Sequence, residues 1–493
     1  MHPDHPHKLP TGSHIDGQTV YKPGEESADF IIIGSGAAGG TAAQFLTEQG
    51  FSVIILEEGP YVPTHKFGVD VYPGMKSLFR DIGSQAAQGK AIFPILQGRC
   101  VGGSTTINSA IAWRAPESVY ETWQQDFGID FSHADLEPHF DYLDKALTVK
   151  PVEDCTLGQH NNLFGLAANR MGMQSQRTRR YDSGCEASAS CLTGCRSGKK
   201  MAMNIAFIPQ ALHKGARLYS NTKALKISKG PKVHTEHTVF YAKRGIILAA
   251  SAIQTPGILK RSGLRNKALG RYFQIHPASS LVGYFDRDIS MQTGATQGYN
   301  SIHFLDSHRF KLEVLSLPPE LITTRLPLLG PQLSQKMLEY KQLLNWAVIL
   351  KAGAHGTVKQ RFGKDWISYT LTPADMNSLR QAYKTLSEMM FAVGAKEVLP
   401  CVYGMPILRS ADDLKLWDNA SIDPKAYSLV SSHLFGTTRM GPHKKSSVVV
   451  LNFQVHGMDK VYVLDSSIFP TNIGVNPQHT IMAVARLGTS RLV

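Results

Sequence analysis

The chain has 493 residues, which is enough material for two or three domains. It is 42% hydrophobic and 18% charged, the composition of an ordinary globular protein, and this excludes a disordered or fibrous chain. The formal net charge of +13 comes from scattered basic residues that accompany no nucleic-acid-binding motif, so we predict no nucleic-acid partner.

The first 27 residues are rich in Pro and Gly and carry histidines at positions 2, 5, 7 and 14. We interpret residues 1–27 as a flexible leader rather than a metal site. They lack the charged-then-apolar profile of a secretory signal, and no apolar run of the chain reaches the length that spans a bilayer. The predicted location is therefore the cytoplasm.

Residues 28–60 carry the strongest local signal of the chain. An apolar, β-branched run at residues 30–33 is typical of a buried parallel strand, and it leads into the pattern G-x-G-x-x-G. A helix pattern and a second apolar strand at residues 53–56 follow in that order. The succession of strand, glycines, helix and strand predicts a Rossmann-like unit that binds a dinucleotide.

The residues of this unit have separate physical roles. Gly34 permits the tight turn, Gly36 lets the backbone approach a pyrophosphate, and Gly39 lets the helix touch the strand. The N-terminus of the helix, with Ala37 and Ala38, then offers unpaired N–H groups to the phosphates. Glu57 ends the second strand at the right distance to bind a ribose hydroxyl. The unit by itself does not separate FAD from NAD.

Two further segments have compositions that fit a cofactor site. Residues 98–109 (GRCVGGSTTINS) form a loop of small residues, which can lie along a cofactor or form a tight surface turn. Residues 246–263 have the pattern of a buried strand, a turn and a short helix. Neither pattern is specific when taken alone.

Three of the six cysteines cluster at Cys185, Cys191 and Cys195. Their spacing, C-x5-C-x3-C, differs from the common zinc and ferredoxin patterns, and a fourth ligand is not evident. We therefore predict no metal site. Reduced thiols and one local disulfide remain as alternatives.

The region from residue 276 to 429 predicts a second unit with an antiparallel sheet. Alternating patterns at residues 282–289, 345–351, 355–362 and 366–372 are typical of strands, and residues 376–395 form an amphipathic helix pattern. Residues 318–350 are rich in leucine. Ordinary packing is the favoured interpretation of that segment, and an apolar lid or a peripheral membrane contact is the alternative.

The C-terminal part carries two more informative segments. Residues 461–464 form an apolar strand that ends in Asp465, and a terminal helix begins near residue 481. Together with the earlier loops, five segments resemble motifs of the glucose–methanol–choline (GMC) oxidoreductases, in the family's order. They are GRCVGGSTTIN (98–108), LAASAIQTPGIL (248–259), LGRYFQIHP (269–277), SSHLFGTTRMG (431–441) and GVNPQHTIMAVA (474–485).

The resemblance implies an α/β fold with a Rossmann-like FAD-binding domain and a substrate domain built on a mostly antiparallel sheet backed by helices. The FAD-binding domain is expected to combine residues 28–70, 95–110, 200–275 and 430–493. Residues 71–94, 111–199 and 276–429 are expected to form the substrate domain.

FAD is implied in an extended form, with its adenosine end at Gly34 to Glu57. The other implied cofactor-binding residues are Arg99, Gly102, Gly103, Ser104, Asn108, Ala110, Asp465, Ser466, Asn476, Pro477 and Thr480. Some family members attach the flavin to a histidine of the first motif, but Ile107 stands at that position, so we expect non-covalent FAD. Ser251 also departs from the family, which usually has glycine there.

The resemblance implies that the enzyme oxidises an alcohol by hydride transfer to the flavin, with His433 as the base and Asn476 as its partner. A neutral histidine suits proton removal because its pKa lies near working pH. His433 as a core histidine and Asn476 as a helix cap are the competing interpretations. His479 ranks below Asn476 as the second group, and His276 is interpreted as structural.

The substrate is expected to be a small-molecule alcohol, and the leucine-rich segment favours a hydrophobic or long-chain one. Oxidation of a sugar or aminoglycoside hydroxyl, lyase or photodecarboxylase chemistry on the same scaffold, and non-catalytic flavin binding are the alternatives. Oxygen, a quinone and a carrier protein all remain open as the electron acceptor.

Overall fold

The computed structural model describes residues 9–19, 24–68 and 70–493. Its strands are β1 (His14–Asp16), β2 (Gly24–Ile33), β3 (Val53–Leu56), β4 (Ala86–Ala87), β5 (Phe93–Pro94), β6 (Val149–Pro151), β7 (Gln176–Arg177), β8 (Arg179–Tyr181), β9 (Arg217–Ser220), β10 (Lys226–Ser228), β11 (Lys232–His234), β12 (Thr238–Leu248), β13 (Gln274–Ile275), β14 (Ala278–Tyr284), β15 (Tyr299–Ser301), β16 (Phe310–Val314), β17 (Leu343–Leu350), β18 (Thr357–Arg361), β19 (Lys364–Ser368), β20 (Glu397–Leu399), β21 (Leu434–Phe435) and β22 (Val461–Val463).

The α-helices are α1 (Ala37–Glu48), α2 (Val71–Leu78), α3 (Glu117–Phe127), α4 (His133–Ala146), α5 (Asp154–Leu157), α6 (Gln159–Arg170), α7 (Phe207–His213), α8 (Ser251–Arg261), α9 (Leu305–His308), α10 (Pro319–Ile322), α11 (Gly330–Leu338), α12 (Pro373–Ala392) and α13 (Gln478–Ser490).

The first sheet has eight strands in the order β1-β9-β3-β2-β12-β11-β10, with β22 also paired to β12. Its centre is parallel: Ile31 of β2 lies opposite both Ile54 of β3 and Ile246 of β12. These three isoleucines are completely buried, as expected for β-branched strands covered on both faces. Helix α1 packs against α7 and α13, so the first and last of these α-helices meet beside this sheet.

The second sheet has six strands in the order β20-β14-β17-β16-β15-β7, and every pairing in it is antiparallel. Strand β17 is buried along its whole length, and α12 packs against β14, β16 and β17. A capping box between Thr372 and Asp375 starts α12. The expected α/β class, with a parallel nucleotide-binding sheet and an antiparallel second sheet, is thereby confirmed.

The predicted elements appear close to their expected positions. The four alternating segments give β14, β17, β18 and β19, and the amphipathic pattern gives α12. The leucine-rich segment is not one helix: it forms the short helices α10 and α11 and then enters β17. Of the residues in the expected leader, β1 and the start of β2 belong to the first sheet. Residues 1–8 and 20–23, with the first three histidines, lie outside the described residues.

Two expected domain limits also differ from the packing. Side chains of α3 and α4 belong to the same hydrophobic core as the first sheet, and α4 packs against α13, although residues 111–199 were assigned to the substrate domain. The β18–β19 hairpin, in the range assigned to the substrate domain, packs against α8, in the range assigned to the FAD-binding domain. Within the described part of the chain, no helix is both long and apolar enough to cross a membrane.

Candidate active site and cofactor cavity

A cavity of about 670 Å³ lies between the two sheets. One wall comes from the carboxyl ends of β2 and β3 and from the N-terminus of α1. The opposite wall comes from one face of the second sheet, where Glu313, Ala347 and Ile349 point inward. The loops before β21 and α13 contribute His433 and Asn476. Ligands of open parallel sheets bind at this edge, beyond the carboxyl ends of the strands.

The glycines at the start of α1 differ in what a side chain would meet. At Gly34 (φ +101°) a Cβ would lie 2.4 Å from the Ala249 carbonyl oxygen, and at Gly39 it would lie 1.9 Å from the Gly34 oxygen. Both positions therefore serve the close approach of helix and strand. At Gly36 a Cβ would meet nothing within 4 Å among the described residues beyond its chain neighbours. This open space, at a helix N-terminus with no acidic residue in its first turn, fits a bound phosphate.

Glu57 ends β3 and is buried at the cavity wall. Its carboxylate accepts hydrogen bonds from the Ser35 hydroxyl (2.7 Å), the Ser35 N–H (3.1 Å) and the Gly59 N–H (2.9 Å). Burial raises the pKa of Glu57 against the lowering effect of these bonds. The carboxylate is thus held rigidly where a ribose is expected to lie.

The loop of residues 98–109 is folded around a short 3-10 turn at Gly103–Thr105. The Ser104 hydroxyl accepts a bond from the Gly98 N–H (3.0 Å), and the Asn108 side chain accepts one from the Ala110 N–H (3.0 Å). These two hydrogen bonds join groups within the loop and fix its shape. Ile107 lines the cavity and carries no nucleophilic atom.

Asp465 and Ser251 meet at another part of the cavity wall. Asp465 is buried, and its carboxylate accepts bonds from the Ser251 N–H (3.0 Å) and the Thr255 hydroxyl (2.6 Å). Burial raises the pKa of Asp465. Ser251 has φ +83°, a left-handed conformation in which glycine is unstrained. Its hydroxyl accepts a bond from the Gln97 side chain (2.6 Å), which a glycine could not do.

His433 lies against His276, with their Nδ1 atoms 3.1 Å apart. The Gly474 N–H donates to His276 Nε2 at 2.9 Å. Since a backbone N–H only donates, neutral His276 carries its proton on Nδ1 and donates it to His433 Nδ1. Neutral His433 then carries its own proton on Nε2. His276 is therefore more than the structural residue expected from the sequence, because it selects the tautomer of His433.

Both rings are neutral over a wide range of pH. Burial lowers the pKa of His433 to about 4, with a further lowering by the nearby Lys311 and an opposing effect of Glu313. Burial and His433 lower the pKa of His276 well below its usual value. His433 is accordingly a weaker base than a histidine with a pKa near working pH.

Asn476 has a charged partner that the sequence did not reveal. The Lys311 ammonium donates to the Asn476 Oδ1 (2.6 Å) and to the Glu313 carboxylate (2.6 Å). The other oxygen of Glu313 accepts a bond from the Gln297 side chain (2.7 Å). All four side chains are buried, and Gln297, Glu313 and Asn476 line the cavity.

Most of the predicted site residues come together in this cavity. Those that line it are Gly34, Gly36, Ala37, Ala38, Glu57, Gly103, Ser104, Asn108, His433, Asp465, Ser466, Asn476 and Pro477. Those that do not are Gly39, Arg99, Gly102, Ala110 and Thr480. Thr480 instead accepts a hydrogen bond from the Ala115 N–H (3.1 Å). This bond joins α13 to the segment just before α3. The sequence reasoning missed Gln97, Gln297, Lys311 and Glu313.

His479 lies outside the cavity lining. It is fully buried, 3.1 Å from Asp144 and 3.1 Å from the Tyr181 hydroxyl, and it stacks on Phe140. Burial lowers the pKa of His479, and Asp144 opposes this change. These contacts tie α13 to α4.

All six cysteines lie within the described residues and are free thiols. The Arg180 guanidinium donates to the Cys191 sulfur at 3.1 Å, and the Lys200 ammonium donates to the Cys191 carbonyl at 3.0 Å. Residues 9–19, 24–68 and 70–493 contain no group of three His, Cys, Asp or Glu side chains that could hold a metal ion.

The residues present fit FAD. The open space at Gly36 leaves room for a pyrophosphate, the buried Glu57 suits a ribose, and the cavity continues past Ile107 and Asp465 to the histidine pair. A site for an extended dinucleotide needs these elements in this order.

Comparison with known proteins shows the family of this chain. The family model described as GMC oxidoreductase matches residues 28–278 with its N-terminal part and 358–485 with its C-terminal part. An uncharacterised GMC-type oxidoreductase of Mycobacterium tuberculosis is 30% identical over 477 residues, which cover 94% of this chain and 75% of that protein. A long-chain-alcohol oxidase of Arabidopsis thaliana is 25% identical and covers 94% of this chain and 67% of its own. The crystal structure of a pyridoxine 4-oxidase from Mesorbium loti superposes with a TM-score of 0.72 at 16% identity, covering 94% and 98% of the two chains.

Proposed function

This chain belongs to the GMC oxidoreductase family, is an oxidoreductase and uses FAD, and from that premise we propose that it oxidises a hydrophobic alcohol to an aldehyde or ketone. When bound, FAD accepts the hydride from the substrate carbon. The single observation that carries the proposal is that His433 and Asn476 line the same cavity as Gly36, with Lys311 in contact with Asn476 and near His433.

The chain's own part in the reaction is to bind the substrate oxygen and handle its proton. Once His433 has taken the hydroxyl proton on Nε2, that N–H is one donor to the substrate oxygen, and the Asn476 amide supplies a second. Two N–H groups aimed at one oxygen favour the alkoxide over the neutral hydroxyl, because they interact more strongly with the charged form. The site thereby lowers the pKa of the bound alcohol.

His433 is the proton acceptor of the proposal, and its accepting form is the tautomer with the proton on Nδ1. In that tautomer His433 donates to His276 Nδ1, and His276 must carry its proton on Nε2, facing the Gly474 N–H. Two donors then oppose each other, which costs about the 1–3 kcal/mol of an unsatisfied buried group. His276 therefore controls how much of the accepting form is present.

The preference for a hydrophobic substrate is supported by the wall formed by Leu315, Leu317 and Leu321. Leu317 also lines a second cavity of about 440 Å³, together with Met291 and Tyr340. Two adjoining cavities that share an apolar wall suit an elongated substrate whose hydroxyl lies at His433. The relative named as a long-chain-alcohol oxidase has the matching substrate class.

The proposal is tested by mixing the purified holoenzyme anaerobically with alcohols of increasing chain length while the flavin absorbance is followed. We expect the flavin of the wild type to bleach, and His433→Ala to retain FAD but lose bleaching by at least about 100-fold, as for a general base. His308→Ala, at an exposed histidine of α9, is the matched control. Normal bleaching by His433→Ala contradicts the catalytic assignment, and an unbleached wild type contradicts alcohol oxidation.

A further inference from the structure

Strand β16 presents two charged side chains to the interior of the protein. Lys311 and Glu313 alternate with Phe310, Leu312 and Val314 along the strand. They therefore share the face of the second sheet that is directed at the first sheet. Lys311 has 0% and Glu313 5% of its surface exposed. The two form an ion pair beside Asn476, a residue 165 positions away in the chain from Lys311.

A buried ion pair is an inefficient way to stabilise a sheet. Removing two charges from water costs several kcal/mol for each ion, and well-packed apolar residues of similar volume often serve as well or better. Ile349 and Ala347, which lie opposite Lys311 and Glu313 on β17, show that this face accepts apolar side chains. Stability of the sheet therefore does not explain the ion pair, and the side chains that it contacts must be considered.

The hydrogen bond between Lys311 and Asn476 fixes which atom of the amide faces the lysine. A lysine ammonium has three donors and no acceptor, so the atom of Asn476 that faces Lys311 is the amide oxygen. The amide nitrogen must then point the other way, and Asn476 lines the cavity that His433 also lines. Burial lowers the pKa of Lys311, and Glu313 opposes this change by accepting a hydrogen bond from the ammonium. The Trp113 ring lies 5.6 Å from the ammonium.

We propose that Lys311 is a positioning residue that fixes the Asn476 amide with its N–H groups toward the substrate oxygen. An asparagine without such a partner can present either its oxygen or its nitrogen to the cavity. With Lys311 behind it, Asn476 is committed to donate, which is the polarity that a developing alkoxide requires. This inference rests on the proposed function only for the identity of the substrate oxygen.

The test uses two neutral probes of equal chain length on the oxidised holoenzyme, with binding followed by the change in flavin absorbance. Hexan-2-one only accepts hydrogen bonds, whereas hexanamide both accepts and donates. We compare Lys311→Met/Glu313→Gln, in which both charges are removed together, with the wild type, in which the Lys311 ammonium is the partner of Asn476. Neutral probes are chosen because loss of the lysine charge would weaken any anion regardless of amide orientation.

In the double variant, the Asn476 amide is free to turn its oxygen to the cavity. We expect the ratio of the Kd of hexan-2-one to that of hexanamide to rise about 5-fold relative to the wild type, which corresponds to the loss of one hydrogen bond. A change below about 2-fold overturns the proposal.

A second variant keeps the proposal testable if the double variant does not fold. Asn476→Asp retains a partner for Lys311 but has no N–H to offer. It should bind FAD and lose about 5-fold or more in affinity for hexan-2-one. Unchanged affinity overturns the proposal. Failure of the proposed function is a separate result, because it is seen as a wild-type flavin that no alcohol bleaches.

Discussion

Substitution of Gly36 by alanine should affect FAD affinity without lowering the stability of the nucleotide-binding unit. Gly36 has φ −71° and ψ −161°, a conformation that alanine also adopts. Apart from its chain neighbours, no atom of the described residues lies within 4 Å of a Cβ built there. Gly36→Ala therefore introduces no clash in the protein. It should leave stability unchanged or raise it by about 0.4–1 kcal/mol, because alanine loses less backbone entropy on folding.

The added methyl group would instead occupy the space in which we place the pyrophosphate. Overpacking by one methyl group typically costs 1–3 kcal/mol, which corresponds to a loss of FAD affinity of about 5- to 150-fold. Gly39→Ala should behave differently. Its Cβ would lie 1.9 Å from the Gly34 oxygen, so α1 would have to move by at least about 1 Å, and both stability and FAD binding should fall.

The assay measures the melting temperature of the FAD-free protein and the FAD affinity from quenching of flavin fluorescence. Gly24→Ala is the control, because Gly24 lies at the start of β2 outside the cavity and a Cβ there meets no described residue within 4 Å. If Gly36→Ala binds FAD as tightly as the wild type, the pyrophosphate does not pass Gly36. If it melts well below the control, the open space inferred at Gly36 is wrong.

Three other predictions concern the flavin linkage, the pH dependence and the substrate. Because Ile107 has no nucleophile, acid precipitation should release all FAD into the supernatant, and flavin retained in the pellet would contradict non-covalent binding. Burial lowers the pKa of both His433 and His160 to about 4. The unfolded chain then binds more protons between pH 6.5 and 4, so each histidine should cost up to about 1.4 kcal/mol of unfolding free energy per pH unit on acidification. Urea titrations at pH 7 and 5 of the wild type and of His433→Gln/His160→Gln measure this loss, because their difference removes the opposite contribution of buried carboxyl groups such as Glu57 and Asp465. The same pH dependence in both proteins would show that these rings are not buried as neutral groups. Leu317→Trp should lower kcat/KM for decan-1-ol by at least about 10-fold and for butan-1-ol by less than about 3-fold, whereas an equal loss for both alcohols would argue against a chain that passes Leu317.

The sequence determined the nucleotide-binding unit because the physical causes of that unit are local. The β-branched run before Gly34 forms a strand wherever it is covered on both faces, and the spacing of Gly34 and Gly39 matches the close contact of one strand with the next helix. Glu57 follows from the end of the next strand in the chain. These features need only about 30 consecutive residues.

The polar network of the catalytic end was decided by the tertiary structure. In β16, the alternation FKLEV is the pattern of a strand with one face in the core and one in water, so Lys311 and Glu313 resemble ordinary surface residues. Folding turns that face of the second sheet toward the first sheet. Lys311 and Asn476 then meet across 165 positions of the chain, and His276 and His433 across 157. Local periodicity specifies which face a side chain occupies, but only the docking of the two sheets specifies what that face meets.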